Sequence, residues 1–267
     1  MRTGTLSIDD VLCSGECRHK SAEEQAPSTQ LAFPYRGVFV RHARGEDAVA
    51  EANQVIFINR LEPYCVSHPV EGGDASLVLT VAEPFLAELI PKDHLRSHAP
   101  LAFNKQRLRV DARTQALVAL LRHSLNSSAA ETLEAETLGL TLVRRAMGEK
   151  TSHIAQGSVG HQKLVDRAKL VLSSDLERRW NLADIAAEVR VSPVYLTAVF
   201  QQVEGMPLYR YQLRLRLARA LSLLSQYDDL TALGADLGFS SHSHFSAAFK
   251  QAYGRTPAEF QRSVDLR

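Results

Sequence analysis

Ser192-Pro193-Val194-Tyr195-Leu196-Thr197-Ala198-Val199-Phe200-Gln201 and Ser241-His242-Ser243-His244-Phe245-Ser246-Ala247-Ala248-Phe249-Lys250 write one pattern twice in a single chain. Shifted by 49 residues, serine falls on serine, Leu196 on Phe245, Thr197 on Ser246, Ala198 on Ala247 and Phe200 on Phe249. Each copy closes on a glycine, Gly205 and Gly254, followed by Pro207 and Pro257. A serine before the first helical position is a favoured N-cap, and Pro193 at that position loses nothing by lacking an N–H. In the first copy Leu196, Val199 and Phe200 recur at helical spacing and point inward, leaving Val194, Thr197, Ala198 and Gln201 outward. In the second, Phe245, Ala248 and Phe249 point inward, while His242, Ser243, Ser246, Ala247 and Lys250 are left outward.

Each of these helices has a short helix before it. Leu182, Ile185, Ala186 and Val189 form an inner face ahead of a tight turn at Arg190-Val191, and Leu233, Leu237 and Phe239 do the same in the second copy. Between the copies, Tyr211, Leu213, Leu217, Ala220, Leu221 and Leu224 run at helical spacing with Arg214, Arg216 and Arg219 interleaved. The expectation is two helix-turn-helix units joined by one long helix. A rigid connection would hold two reading helices about 34 Å apart, one turn of B-DNA. The three arginines contact phosphates or form a solvated face with local ion pairs.

Working outward, Leu164, Ala168, Val171 and Leu172 mark a first helix for this domain, and Lys150 to Gly160 has the small, polar composition of a linker. Helix formers dominate Arg113 to Leu125 and Ala130 to Met147, with Leu117, Leu120, Leu121 and Leu125, then Leu138, Leu142 and Val143, at helical spacing. Asn126-Ser127-Ser128 separates them, with Ser127 or Ser128 as cap. This pair is either core packing or, as we expect, a dimerisation surface.

Nearer the N-terminus the character is β. Leu31-Ala32-Phe33, Gly37-Val38-Phe39-Val40, Gln54-Val55-Ile56-Phe57-Ile58 and Ser76-Leu77-Val78-Leu79-Thr80-Val81 are strand-length apolar runs. Turn-forming segments, Arg44-Gly45-Glu46-Asp47, Glu62-Pro63 and Pro69 to Asp74, separate them. Such spacing predicts a small barrel or jelly roll.

Composition sets the bounds. With 45% hydrophobic and 23% charged residues, a 267-residue chain can bury an ordinary core in two domains. No apolar run reaches the roughly 20 residues a membrane helix needs, and the N-terminus lacks a signal-peptide layout, so we expect a cytoplasmic protein with no membrane partner. The net charge of +1 is unevenly divided, with 14 Lys+Arg against 11 Asp+Glu from Gly160 onward. Charge alone does not point to nucleic acid; the doubled motif does.

At this point the chain resembles the AraC/XylS family of bacterial transcription regulators. The residues that carry the resemblance are Leu182…Ile185-Ala186…Ser192…Leu196…Phe200…Gly205, Tyr211…Arg216-Leu217…Ala220…Leu223-Leu224 and Gly238-Phe239…Ser243…Phe245…Phe249-Lys250…Gly254…Thr256-Pro257. They span roughly Val165 to Arg262, and the match at Arg216 implies a structural role for that arginine, unlike Arg214 and Arg219. Arg36 to Val40 and Tyr64…His68-Pro69…Gly72-Gly73-Asp74 are similar to the cupin-like sensor domain of part of that family. The resemblance implies an α+β fold in two domains: a cupin-like sensor over 1–105, a helical connector over 106–158, and a DNA-binding domain over 159–267. It further implies a sensor, with a small-molecule effector, coupled to promoter DNA and to recruitment of RNA polymerase as in an activator; a homodimer is the expectation from the helical pair. The alternative is an N-terminal domain that only dimerises, or binds a protein or a metal. Family members carry arginine where Ala198 and Ala247 stand. Arginine reads guanine bidentately, whereas alanine meets only a thymine methyl. The expected DNA-binding set is therefore Ser192, Val194, Thr197, Ala198, Gln201, Ser241, His242, Ser243, Ser246, Ala247 and Lys250, with weakened guanine dependence.

Two other constellations are legible. Cys13, Cys17 and His19 form a C-x₃-C-x-H cluster, and Cys65 and His68 lie across a short turn elsewhere. Cys13, Cys17, Cys65 and His68 are candidate zinc ligands or redox sensors, against the alternative of small buried cysteines and surface histidines. Cupin folds also host iron oxygenases, but residues 30–90 hold no H-x-H pair. His42 and His68 stand alone with Asp74 as the nearest carboxylate, so an enzyme is not expected.

Overall fold

A computed structural model describes residues 1–97, 101–126 and 132–265. The chain divides into two compact units, Met1–Ile154 and Ala155–Arg267. Ser127 and Ser128, the expected caps, lie outside the described residues.

Among the described residues, the first unit holds nine strands: β1 (Leu6–Cys13), β2 (Gln30–Arg36), β3 (Phe39–Ala43), β4 (Glu46–Ala50), β5 (Gln54–Ile58), β6 (Cys65–Ser67), β7 (Asp74–Val81), β8 (Arg107–Val110) and β9 (Ser152–His153). A six-stranded sheet runs β1-β7-β2-β5-β8-β9 and a three-stranded sheet runs β4-β3-β6, with antiparallel pairing between neighbours. Among the described residues these are two sheets and not a closed barrel. The β3–β4 hairpin turns on Arg44 and Gly45, both at positive φ, the twist that suits a two-residue hairpin. That places Glu46 and Asp47 in a strand, although their polarity predicts a turn.

Strand alternation decides what each face touches. Leu31 and Phe33 of β2, Val55 and Phe57 of β5, and Leu77, Leu79 and Val81 of β7 fill one core. Ala32, Ile56 and Val78, on the opposite face of the same strands, pack with Ala50 of β4 and Phe39 of β3. The large sheet is thus the middle layer of three. Its outer cover is helical: α1 (Glu83–Leu89), α2 (Ala112–Asn126) and α3 (Thr132–Ala146). Leu121, Leu142 and Val143 are buried in the sheet's core, with Leu117, Leu125 and Leu138 packed against it. The leucine stripe expected to dimerise is therefore spent inside the unit, because the sheet's second apolar face needs a cover. Asp111 ties the two long helices together, accepting from the Thr114 N–H at 2.8 Å, the Thr114 hydroxyl at 2.7 Å and the Arg145 Nε–H at 3.2 Å. The expected linker is partly structured, since β9 pairs with β8 before the boundary at Ile154.

The second unit contains α4 (Val159–Ser174), α5 (Leu182–Glu188), α6 (Pro193–Glu204), α7 (Leu208–Leu223), α8 (Leu230–Asp236), α9 (His242–Tyr253) and α10 (Pro257–Asp265). Its core joins Leu164, Val165, Ala168 and Leu172 of α4 to Ile185, Ala186, Leu196, Phe200, Tyr211 and Leu215. Leu182, expected on the inner face, is exposed instead, because it is the first residue of α5 and precedes the turn that packs. α7 is buried on almost every side, including Gln212, which is the signature of a central helix. Lys169 of α4 is fully buried and pairs with the buried Glu204 carboxylate at 2.6 Å.

Among the described residues, no helix is long and apolar enough to cross a membrane.

Candidate nucleic-acid interface

α5–α6 and α8–α9 are the two helix-turn-helix units. Ser192 accepts from the Tyr195 N–H at 3.2 Å and Ser241 from the His244 N–H at 3.1 Å, so both expected N-caps form. Both C-termini end on left-handed glycines, Gly205 and Gly254. The turns differ. Arg190 takes the left-handed conformation two residues before Ser192, whereas Gly238 takes it three residues before Ser241. A left-handed non-glycine residue costs about 1–2 kcal/mol.

The outward faces lie where the sequence puts them. Val194, Thr197, Ala198 and Gln201 are exposed on α6; His242, Ser243, Ala247 and Lys250 are exposed on α9, with Ser246 half-buried. Several polar groups are already engaged. The Thr197 hydroxyl donates back to the Pro193 carbonyl at 3.0 Å, and Ser246 Oγ pairs with His242 Nε2 at 3.2 Å. Val194 is 81% exposed and Tyr195 47% exposed at the front of α6, with the Tyr195 ring edge-on to His161 at 6.2 Å. Reasoning from the sequence passed over Tyr195; an aromatic just inside the N-cap was the available signal. His244, next to Phe245, is exposed, bonded through Nδ1 to Ser240 Oγ at 3.1 Å and edge-on to Phe239.

Arg216 turns inward. Its guanidinium donates to the carbonyls of Leu176 at 2.9 Å, Arg178 at 2.7 Å and Gly238 at 3.3 Å. Arg179 adds a bond to the Phe239 carbonyl at 3.1 Å. Burial pushes the Arg216 pKa down, and nearby Arg179 adds to that. The segment before α5 and the turn between α8 and α9 are therefore gripped by one fork on α7. Gly238 is fitted to this clamp: a Cβ there would stand 2.5 Å from the Glu177 carbonyl oxygen and 2.9 Å from Arg216 Nη2.

Sequence comparison agrees with this geometry. Residues 185–263 match a family model described as a helix-turn-helix domain. The chain is 33% identical over 105 residues to the uncharacterized HTH-type transcriptional regulator YidL of Escherichia coli, covering 39% of this chain and 35% of that protein. It is 27% identical over 226 residues, 82% of this chain and 68% of the relative, to a putative AraC-like transcription regulator of Streptomyces lividans. The chain belongs to the AraC family of transcription regulators. Among solved structures, it is 32% identical to an AraC-type DNA-binding domain-containing regulator from Chromobacterium violaceum, covering 40% of this chain and 96% of that one with a TM-score of 0.38. The chain spans only 35% to 64% of the length of several curated relatives.

In this AraC-family chain the N-terminal candidates fall into two places. Cys13, Cys17 and His68 come together, and Asp74 joins them. Cys65 does not; it sits on β6 opposite His42 of β3. His42 is bonded to Asp47 at 2.6 Å and Ser67 at 2.8 Å, and His19 is exposed. A cavity of about 310 Å³ opens between the two sheets, lined by Phe39, Arg41, Ile58, Tyr64, Val78 and the Cys13–His68–Asp74 group. Within it, Arg41 is buried beside Glu62, with Nη1 on Gln106 at 2.9 Å. Burial pushes the Arg41 pKa down.

Proposed function

We propose that the chain is a DNA-binding transcriptional regulator that lays α6 and α9 into successive major grooves. The clamp through Arg216 carries this reading, because it joins two capped, outward-facing helices through a buried central helix. α7 has 16 residues and so spans about 24 Å, a length suited to holding two helices on neighbouring grooves. The face of α6 offers Val194, Thr197, Ala198 and Gln201, and that of α9 offers His242, Ser243, Ser246, Ala247 and Lys250. Methyl groups at Val194, Ala198 and Ala247 favour thymine, and Gln201 is the residue type that reads adenine. Ser192 and Ser241, at the helix N-termini, approach phosphates. RNA polymerase and a second copy of the chain are partners on this reading. The cavity between the sheets is the place for a small effector.

Selection of binding sites from a random duplex library, followed by hydroxyl-radical footprinting, tests the reading. Two A·T-rich recognition segments one helical turn apart are expected. Gln201→Ala should relax specificity in one segment and Ser243→Ala in the other, each by about 1–3 kcal/mol per contacted base pair. Protection of a single groove, or guanines strictly required opposite both alanines, would refute it.

A further inference from the structure

We propose that Cys13, His68 and Asp74 form a binding site for a divalent transition metal of the zinc class, with Cys17 on the opposite ring nitrogen holding His68 in orientation. Ligand atoms of Cys13, His68 and Asp74 all lie within 4.8 Å of one another. The His68 ring is buried between two partners: Cys17 Sγ lies 3.6 Å from Nδ1, and an Asp74 carboxylate oxygen 2.7 Å from Nε2. The donors come from three segments, and each segment is pinned by its backbone. Cys13 is paired with Asp74 at the end of the β1–β7 ladder. The His68 N–H donates to the Cys17 carbonyl at 2.8 Å. Gly15 and Gly73 let the two strand ends meet: a Cβ on Gly15 would stand 2.7 Å from Gly73 Cα, and one on Gly73 would stand 2.2 Å from the Cys13 carbonyl oxygen. Both glycines hold positive φ. The convergence is therefore built into the backbone and does not depend on side-chain drift.

The donor set selects the ion. A thiol with an imidazole and a carboxylate favours zinc and similar borderline-soft ions over magnesium or calcium, which prefer all-oxygen shells. An imidazole with a thiol on one nitrogen and a carboxylate on the other suits ligation through one ring nitrogen while the opposite partner orients the ring. Each thiol that binds gives up its proton to solvent as the metal–sulfur bond forms. The cavity between the sheets borders the group, and two residues beyond Asp74 the buried Ser76 hydroxyl has no hydrogen-bond partner among the described residues.

Full-length protein, reduced and stripped with a chelator, is titrated with zinc against a chromophoric indicator and separately with cobalt(II). One equivalent per chain is expected, and the cobalt form should show thiolate-to-metal charge-transfer absorption. Cys13→Ser should weaken zinc binding at least about 100-fold, and Asp74→Asn and the orienting Cys17→Ser each about 10- to 100-fold. Cys65→Ser should leave it unchanged. Circular-dichroism melts confirm that the variants fold, and the wild-type cobalt spectrum is independent of any variant. Overturning results are no charge-transfer band, equal affinity in the Cys13→Ser/Cys17→Ser double variant, or a loss in Cys65→Ser as large as in Cys17→Ser. A Cys13–Cys17 disulfide in metal-free protein that binds no zinc after reduction would mark a redox pair and overturn it too.

Discussion

Replacing Arg216 with alanine removes three donors from backbone carbonyls in two separate segments. Hydrogen bonds to a charged group contribute about 1.5–3 kcal/mol each. The guanidinium is only half-buried, so freed carbonyls regain some water, and its own desolvation cost disappears. The net loss should be about 2–4 kcal/mol. With a urea dependence of about 1.5 kcal/mol/M, that lowers the unfolding midpoint by about 2 M. Trp180, the single tryptophan, reports the event directly. Its Nε1–H donates to the Asp175 carbonyl at 2.9 Å, and the Arg178 guanidinium lies 3.8 Å over its ring, within the segment Arg216 grips. Arg216→Lys keeps the charge but replaces a planar fork by a point donor, so most of the loss should remain. An unchanged Trp180 urea midpoint, together with a salt dependence of DNA binding reduced by about one phosphate contact, would refute the clamp.

Two further outcomes follow from buried charge. Lys169→Met strands the Glu204 carboxylate and should cost about 3–5 kcal/mol, while Lys169→Met/Glu204→Leu recovers much of it; urea melts in which the double variant is no better than the single reject a paired site. Burial would raise the Asp111 carboxyl, but hydrogen bonds from Arg145 and Thr114 outweigh it and hold its pKa below the usual value. A lowered folded-state pKa contributes stability above the unfolded value near about 3.9 and loses it as pH falls through that region. The stability gap between wild type and Asp111→Asn should therefore shrink from about pH 5 to about pH 3, and a gap constant with pH in circular-dichroism melts counts against the assignment.

The helix-turn-helix frame was legible because its signals are local: a cap, an apolar spacing and a closing glycine each act within one turn of helix. Ser192, Ser241, Gly205 and Gly254 all perform as their types predict. Long-range features were not. The family resemblance sets Arg216 apart as structural among the three interleaved arginines, but only the fold brings Leu176, Arg178 and Gly238 to it. Leucines at helical spacing in α2 and α3 say that a face is covered but not by what, and the large sheet is the answer. β1 was missed because its second half, Asp9 to Leu12, is exposed at the sheet edge and carries no alternation. Cys65 and Asp74 exchanged places for the same reason: proximity in sequence to His68 favoured the cysteine, while the register of β1 against β7 brought the aspartate.

α6 and α9 are copies in frame but not in face. One carries a threonine and a glutamine behind an exposed valine; the other carries histidine, serine and lysine. No symmetry operation exchanges them, and the turns that present them differ by a residue. On the proposed two-groove reading, a single chain has a head and a tail along DNA, unlike a two-fold pair of identical readers, whose site looks the same from either end. On that reading its binding site carries an arrow, and one bound copy suffices to distinguish upstream from downstream.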